Sequence, residues 1–391
     1  MKKIITLIIA VHCSLITVHL LAQSCLPEGI TFSTQAQIDS FQINYPGCIQ
    51  IEGDVTLLGS DITNLNGISV LNSVGGKLAF KGTGLTNLTG LENLAIIAGG
   101  LSFGDVYFGE ANPFLTSLTG LEGLTSIGGD LNPSGAPLVN FTGLDNLVAI
   151  GGNFGTGLFL KLTDFEGLGN LTSIGGNFGI KGNPDLTTLT GLENLTSIGG
   201  FLQIESNGEL TSLSSLANIN SIEGSIFIES NEALTSLSGL ENVDANSIPE
   251  LVIINNNSLE TCEVQSICDY LANPIAGVEI HDNAPGCNSR EEVAEACGVG
   301  VDESAVSSQQ SAVRVYPNPT RGISDFRLLV YDFGRVTLKI YDLHGREVAT
   351  VVDEVLPAGE HTVRFDAGSL QPGVYIYRKL DSWTTGKLIK F

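Results

Sequence analysis

Nucleophilic catalysis of the Ser-His-Asp or Cys-His kind needs a histidine beside the nucleophile. Only His281, His344 and His361 follow residue 22, and only His281 lies before residue 300. It stands next to Asp282 and reads as a surface residue. Transition-metal clusters need several His or Cys ligands, and the cysteines are better used as disulfides. Gly82-Thr83-Gly84 and Gly155-Thr156-Gly157 lack the Lys-Ser/Thr pair and the strand-turn-helix setting of a phosphate loop, so they read as turns. Carboxylates are the abundant reactive group: residues 23–300 hold 31 Asp and Glu. Glycoside hydrolysis asks for two within about 5 to 10 Å, a condition some pair meets by chance at this density. A lyase base is harder to supply, because the stretch has only Lys77, Lys81, Lys161, Lys181 and Arg290. The expectation is a protein without catalytic residues, metal or cofactor.

The cysteines say where the chain works. Met1-Lys2-Lys3, a largely apolar run from Ile4 to Leu21, and Ala22 before Gln23 follow the order that a signal peptidase reads. The run is at the short end of what spans a bilayer, so a leader is expected over 1–22. Cys13 goes with it, leaving Cys25, Cys48, Cys262, Cys268, Cys287 and Cys297, an even number in an exported chain. No cysteine lies between 48 and 262, so disulfides staple the two ends and leave the middle alone.

Charge divides the chain. Residues 23–300 set 31 acids against 5 bases, while residues 301–391 hold 11 of each. So acidic a surface repels phosphate backbones and anionic lipid heads, which makes nucleic acid an unfavoured partner. Solubility outside the cell is the plain reading.

What must position any surface chemistry is a repeat. Apolar triplets spaced by three recur at Ile62/Leu65/Ile68, Leu85/Leu88/Leu91, Leu115/Leu118/Leu121, Leu138/Phe141/Leu144, Leu162/Phe165/Leu168, Leu186/Leu189/Leu192, Leu210/Leu213/Leu216 and Leu234/Leu237/Leu240. The steps are near 24 residues except for 30 between Leu85 and Leu115, and a fixed period of this size marks a solenoid. A second apolar pair follows each triplet, then usually two glycines, as at Gly151-Gly152 and Gly199-Gly200. Next comes an alternating strand such as Leu202-Gln203-Ile204, closed by Asn183, Asn207 or Asn231. Alternation puts one set of side chains inward and the other outward. Thr, Ser and Gly between the leucines disfavour a helix, so the triplets read as corners of stacked coils, and the glycine pairs as bends needing conformations closed to other residues. Alternation breaks around Pro133 and Pro137.

The order strand, Asn, Leu-Thr-Ser-Leu-x-Gly-Leu, Asn-Leu-Thr-Ser-Ile-Gly-Gly over roughly 54–258 resembles the receptor L-domain and leucine-rich-repeat class. The resemblance implies extracellular recognition and assigns no chemistry to the repeat positions. A helical stretch over Glu263 to Ala272, and Ser289 with Glu292 as a capping box, resemble the cysteine-rich flank of such repeats. The flank implies Cys262 with Cys287 and Cys268 with Cys297, among three possible pairings. Cys25 with Cys48 is expected at the other end.

Beyond a polar linker, seven short alternating runs from Val313 to Phe391 suggest an immunoglobulin-like β-sandwich. Tyr316-Pro317-Asn318-Pro319, Lys339-Ile340-Tyr341-Asp342 with Gly345-Arg346, Leu356 with Gly359, Gly373-Val374-Tyr375 and Lys387-Leu388-Ile389 resemble the type A C-terminal sorting domain of the type IX secretion system. That resemblance implies transport across a bacterial outer membrane by that machinery.

The whole reads as mostly β: a leader (1–22), an N-terminal cap (23–53), a right-handed parallel β-solenoid of about eight 24-residue repeats (54–258), a cysteine-rich cap (259–298), a linker (299–311) and a sorting domain (312–391). The expected function is recognition or adhesion at the cell surface or in the medium, with an extracellular glycan or protein as ligand. A polysaccharide-active β-helix enzyme and a non-binding structural surface protein are the alternatives; a binding module would show an aromatic or insertion-bearing face where a spacer would be uniform. The long third step adds Gly104-Asp105-Val106-Tyr107-Phe108-Gly109-Glu110, and residues added to a solenoid leave the stack as a loop. Tyr107 and Phe108 are therefore the expected ligand contacts, the competing reading being that they fold back over apolar flank.

Overall fold

The computed structural model describes residues 23–104, 110–157, 161–272, 277–299, 313–330, 334–342, 346–357, 359–379 and 385–391. The leader, the linker beyond Val299, and the segment with Tyr107 and Phe108 lie outside these residues.

Residues 23–299 form stacked coils. Most contribute one strand to each of two parallel sheets, nine-stranded and eleven-stranded among the described residues, and the last coils add strands to the larger sheet alone. The large sheet runs from Ile30–Phe32 to Val278–His281 and contains Phe178–Lys181, Leu202–Glu205, Ile226–Glu229 and Leu251–Ile254 in unbroken register. Its strands are the alternating runs that follow the glycine pairs. The small sheet is built mostly from two-residue strands such as Ser173–Ile174 and Ser197–Ile198, the second apolar pair of each repeat. Sequence reading left these pairs without an assignment. Two residues show no period, and the ladder exists only once coils stack.

The triplet leucines form the third side of the coil. Leu186, Leu189, Leu192, Leu210, Leu213 and Leu216 are all 0% exposed and share one continuous core with the inward strand residues. No coil could bury that face by itself, so stability is a nearest-neighbour property of the stack.

The glycine pairs serve a different purpose from the expected one. They do not take positive φ. Instead a Cβ on Gly75, Gly128, Gly151, Gly175 or Gly199 would run into a carbonyl of the preceding coil. Steric room between coils, rather than backbone freedom, selects glycine there. The left-handed conformation falls at Gly167 (φ 96°) and Gly191 (φ 107°), within the triplets.

Three disulfides close the ends: Cys25–Cys48, Cys262–Cys287 and Cys268–Cys297, the pairs named from the sequence. The first ties the opening strand Gln23–Cys25 to its neighbour Cys48–Ile51. At the N-terminal end Thr34 and Gln37 make a reciprocal capping box over the short helix Gln35–Asp39. At the other end the helices Gln265–Ala272 and Arg290–Ala296 cover the stack. Ser289 Oγ accepts from the Glu292 N–H at 3.1 Å, but the Glu292 carboxylate turns to the N–H groups of Gly286 and Asn288, so only half of the expected box forms.

Residues 313–391 form two antiparallel sheets of three and four strands around a separate core that includes Phe326, Leu338, Ile340 and Leu388. The longest strands are Ile323–Val330, Gly334–Tyr341, Glu347–Leu356 and Gly359–Asp366.

Candidate functional site

Each strand of the large sheet sends alternate side chains away from the core, and parallel register aligns them in columns across successive coils. Leu202 with Ile204, and Ile226 with Ile228, point in. The residues between them point out, and one outward column reads Gly179, Gln203, Phe227, Val252 and Glu279. A second reads Lys181, Glu205, Glu229, Ile254 and His281. Aromatic and β-branched residues suit such a pleated surface, but they here make a cluster of their own. Phe201, Phe227 and Val252 are buried against one another with Ile254 at the margin, apart from the solenoid core. The Phe201 and Phe227 rings meet edge to face at 6.0 Å.

Carboxylates surround the cluster. The Glu229 pKa is pushed up to about 7, first by burial and then by the neighbouring Glu205 charge, with Glu279 and Glu250 adding to it and Lys181 opposing. Gln203 Nε2 donates to Glu205 Oε2 at 2.9 Å, which fixes the amide's orientation and turns Oε1 away from that partner. The arrangement sets a buried apolar cluster on the outer face of the sheet beside acceptors and a carboxyl group that changes charge near neutrality. Among the described residues no group of three or more His, Cys, Asp or Glu is gathered to hold a metal ion.

Of the residues singled out from sequence, Tyr107, Phe108, His344 and Gly345 lie outside the described residues. His281 Nδ1 and the Asp282 carboxylate meet at 2.8 Å on the surface at the end of the second column. In the C-terminal domain the motif residues come together as supports. Asn318 Nδ2 donates to the Lys387 carbonyl at 2.5 Å, and its Oδ1 accepts from the Ile389 N–H at 2.8 Å, so Tyr316-Pro317-Asn318-Pro319 holds the last strand, Thr385–Lys390. Arg346 pairs with Asp342 at 2.7 Å across a hairpin. The Tyr375 hydroxyl donates to the Gln371 carbonyl at 2.8 Å. Gly359 (φ 130°) and Gly373 each open a strand. Tyr316 is different: it is 80% exposed.

The outward columns were missed because Gln203, Phe227 and Val252 sit between inward residues and look unremarkable one strand at a time. Writing the strands beneath one another at the 24-residue period would have aligned them.

Two segments are similar to known families. Residues 196–296 match the Receptor L domain and residues 314–390 match the Secretion system C-terminal sorting domain. No curated protein matches the chain. The first match contains the aromatic cluster and all of the cysteine-rich cap but its last residues, Cys297 among them; the second spans nearly all of the two antiparallel sheets. The chain thus joins a receptor-L-domain-like repeat to a type IX sorting domain. That domain marks a protein exported through the type IX machinery and secreted or displayed at the cell surface.

Proposed function

We propose that this is an extracellular recognition protein without enzymatic activity, in which a right-handed solenoid of about eight 24-residue repeats presents a ligand-binding face and the sorting domain delivers it outside the cell. One observation carries the reading: the outer face of the large sheet is not uniform, but gathers Phe201, Phe227 and Val252 amid Glu205, Glu229, Glu250 and Glu279. A uniform spacer needs no separate aromatic cluster on the outer face of its sheet, away from the solenoid core. Net negative charge around it favours neutral or cationic partners over nucleic acid and anionic lipid.

The test is a combined glycan and protein array probed with the full-length chain, followed by Phe227→Ala. A ligand should be found, and the substitution should weaken it by about 2 kcal/mol or more, the range of an interface anchor. An array without a hit, or a ligand indifferent to Phe227, refutes the reading in favour of a structural spacer.

A further inference from the structure

The central outward column of the large sheet is exposed unevenly. Asn132 and Gly155 face solvent and Glu279 is half-buried, but Gln203, Phe227 and Val252, which lie between them in register, are buried. Phe227 is 5% exposed and the adjoining Phe201 7%. A pleated sheet leaves the ends of its outward side chains in water unless another layer packs on them. A layer therefore covers this patch. It is not the solenoid core, from which the cluster is separate. The burial is that of the chain by itself, so the covering atoms are the chain's own. Phe201, Phe227, Glu205 and Glu250 each engage a partner beyond the contacts described above.

We propose that the covering layer is the sorting domain, docked through the end of its sandwich that bears residues 331–333 and 380–384, so that the tail and an external ligand compete for one face. Three observations select this occupant. The first is reach. Val252 lies one strand from the edge strand Val278–His281 and Gln203 three, about 5 to 15 Å at the spacing of paired strands. Residues 300–312 join the cap to the first strand of the tail, Val313–Tyr316, and that length of chain spans up to about 45 Å when extended.

The second is composition. Gly334 pairs with Leu356, Leu338 with Lys379 and Arg378 with Thr385, which sets both connections at one end of the domain. They hold Tyr331, Phe333 and Trp383. Aromatic rings pack edge to face or offset on phenylalanines at centroid separations of about 4.5 to 7 Å. The third is charge. Arg378 and Lys379 precede the second connection, complement a patch edged by Glu205, Glu229, Glu250 and Glu279, and engage partners of their own beyond those described. The competition rests on the reading that this face binds a ligand; the docking does not.

Trp383 is the only tryptophan of the chain, so its fluorescence reports the docking directly. In the full-length protein its emission should be that of a shielded ring, weakly quenched by acrylamide. Two variants test what shields it. Phe227→Ala removes a ring of the patch, and Glu250→Lys reverses one charge at its margin and leaves both rings in place. With circular dichroism unchanged, each should shift the emission to longer wavelength and raise acrylamide quenching severalfold. Emission and quenching unchanged in both variants, or a Trp383 already open to acrylamide in the parent, overturns the docking. Trp383 shielded by the patch with no ligand found on the array leaves the docking standing and removes the recognition reading. A bound ligand with Trp383 indifferent to both substitutions does the reverse.

Discussion

Asn207 donates from Nδ2 to Asn231 Oδ1 at 3.2 Å, one coil further along the stack, and to the Ile180 carbonyl at 2.9 Å, one coil back. The same amide receives from the Asn183 backbone N–H and side chain. Asn231, Asn256 and Asn283 continue the ladder, each closing a strand of the large sheet. All of this lies inside the solenoid, where a missing partner is expensive. Asn207→Ala strands groups on both neighbouring coils and should cost about 2 to 4 kcal/mol, more than a surface substitution such as Asn242→Ala. Denaturant unfolding of both variants measures the difference; equal stabilities would show that the ladder contributes nothing beyond shape.

Glu229 makes stability depend on pH in a direction opposite to that of a salt-bridged acid. Its pKa is about 7 folded and near 4.5 unfolded, so between those values the folded state holds the extra proton. Stability contributed by this group is present below about pH 4.5 and lost as pH rises to about 7, by at most about 3 kcal/mol. Glu229→Gln should flatten the slope between pH 5 and pH 8 and raise stability at pH 8. Chemical denaturation at both pH values is the check, and an unchanged slope would rule out Glu229 as its source.

The cap should be the most disulfide-dependent part of the passenger. Cys268–Cys297 joins the helices Gln265–Ala272 and Arg290–Ala296. Replacing both cysteines with serine should cost about 2 to 5 kcal/mol. Hydrogen exchange should quicken first at Val278–His281, the edge strand beneath the helices. Faster exchange at the opposite end, near Gln23–Cys25, would contradict this order.

Asn318 grips the terminal strand from both sides of Leu388. Asn318→Ala should loosen Thr385–Lys390 and lower the amount of protein reaching the cell surface or medium, with precursor accumulating in the periplasm. Fractionated immunoblots measure it. Export at the parent level would separate the motif's structural role from its sorting role.

Much of this architecture was legible because stacking imposes a period. The triplet from Leu186 to Leu192 repeats at Leu210 to Leu216, and a 24-residue echo needs no knowledge of dihedral angles. The tail's strands were legible for the same kind of reason, since alternation such as Val336, Leu338 and Ile340 reports a half-buried sheet. The role of the glycine pairs was not: carbonyls that exclude a Cβ at Gly175 or Gly199 belong to the preceding coil, some 24 residues away. Nor was the site. Gln203, Phe227 and Val252 form a surface only after three coils are in register.

The most direct test of the recognition face is hydrogen–deuterium exchange on the full-length chain with and without a ligand found on the array. Protection should concentrate on Leu202–Glu205, Ile226–Glu229 and Leu251–Ile254, the strands carrying the cluster. Protection confined to the segment around Tyr107 and Phe108, or to the small sheet at Ser173–Ile174 and Ser197–Ile198, would contradict the account and move the binding face there.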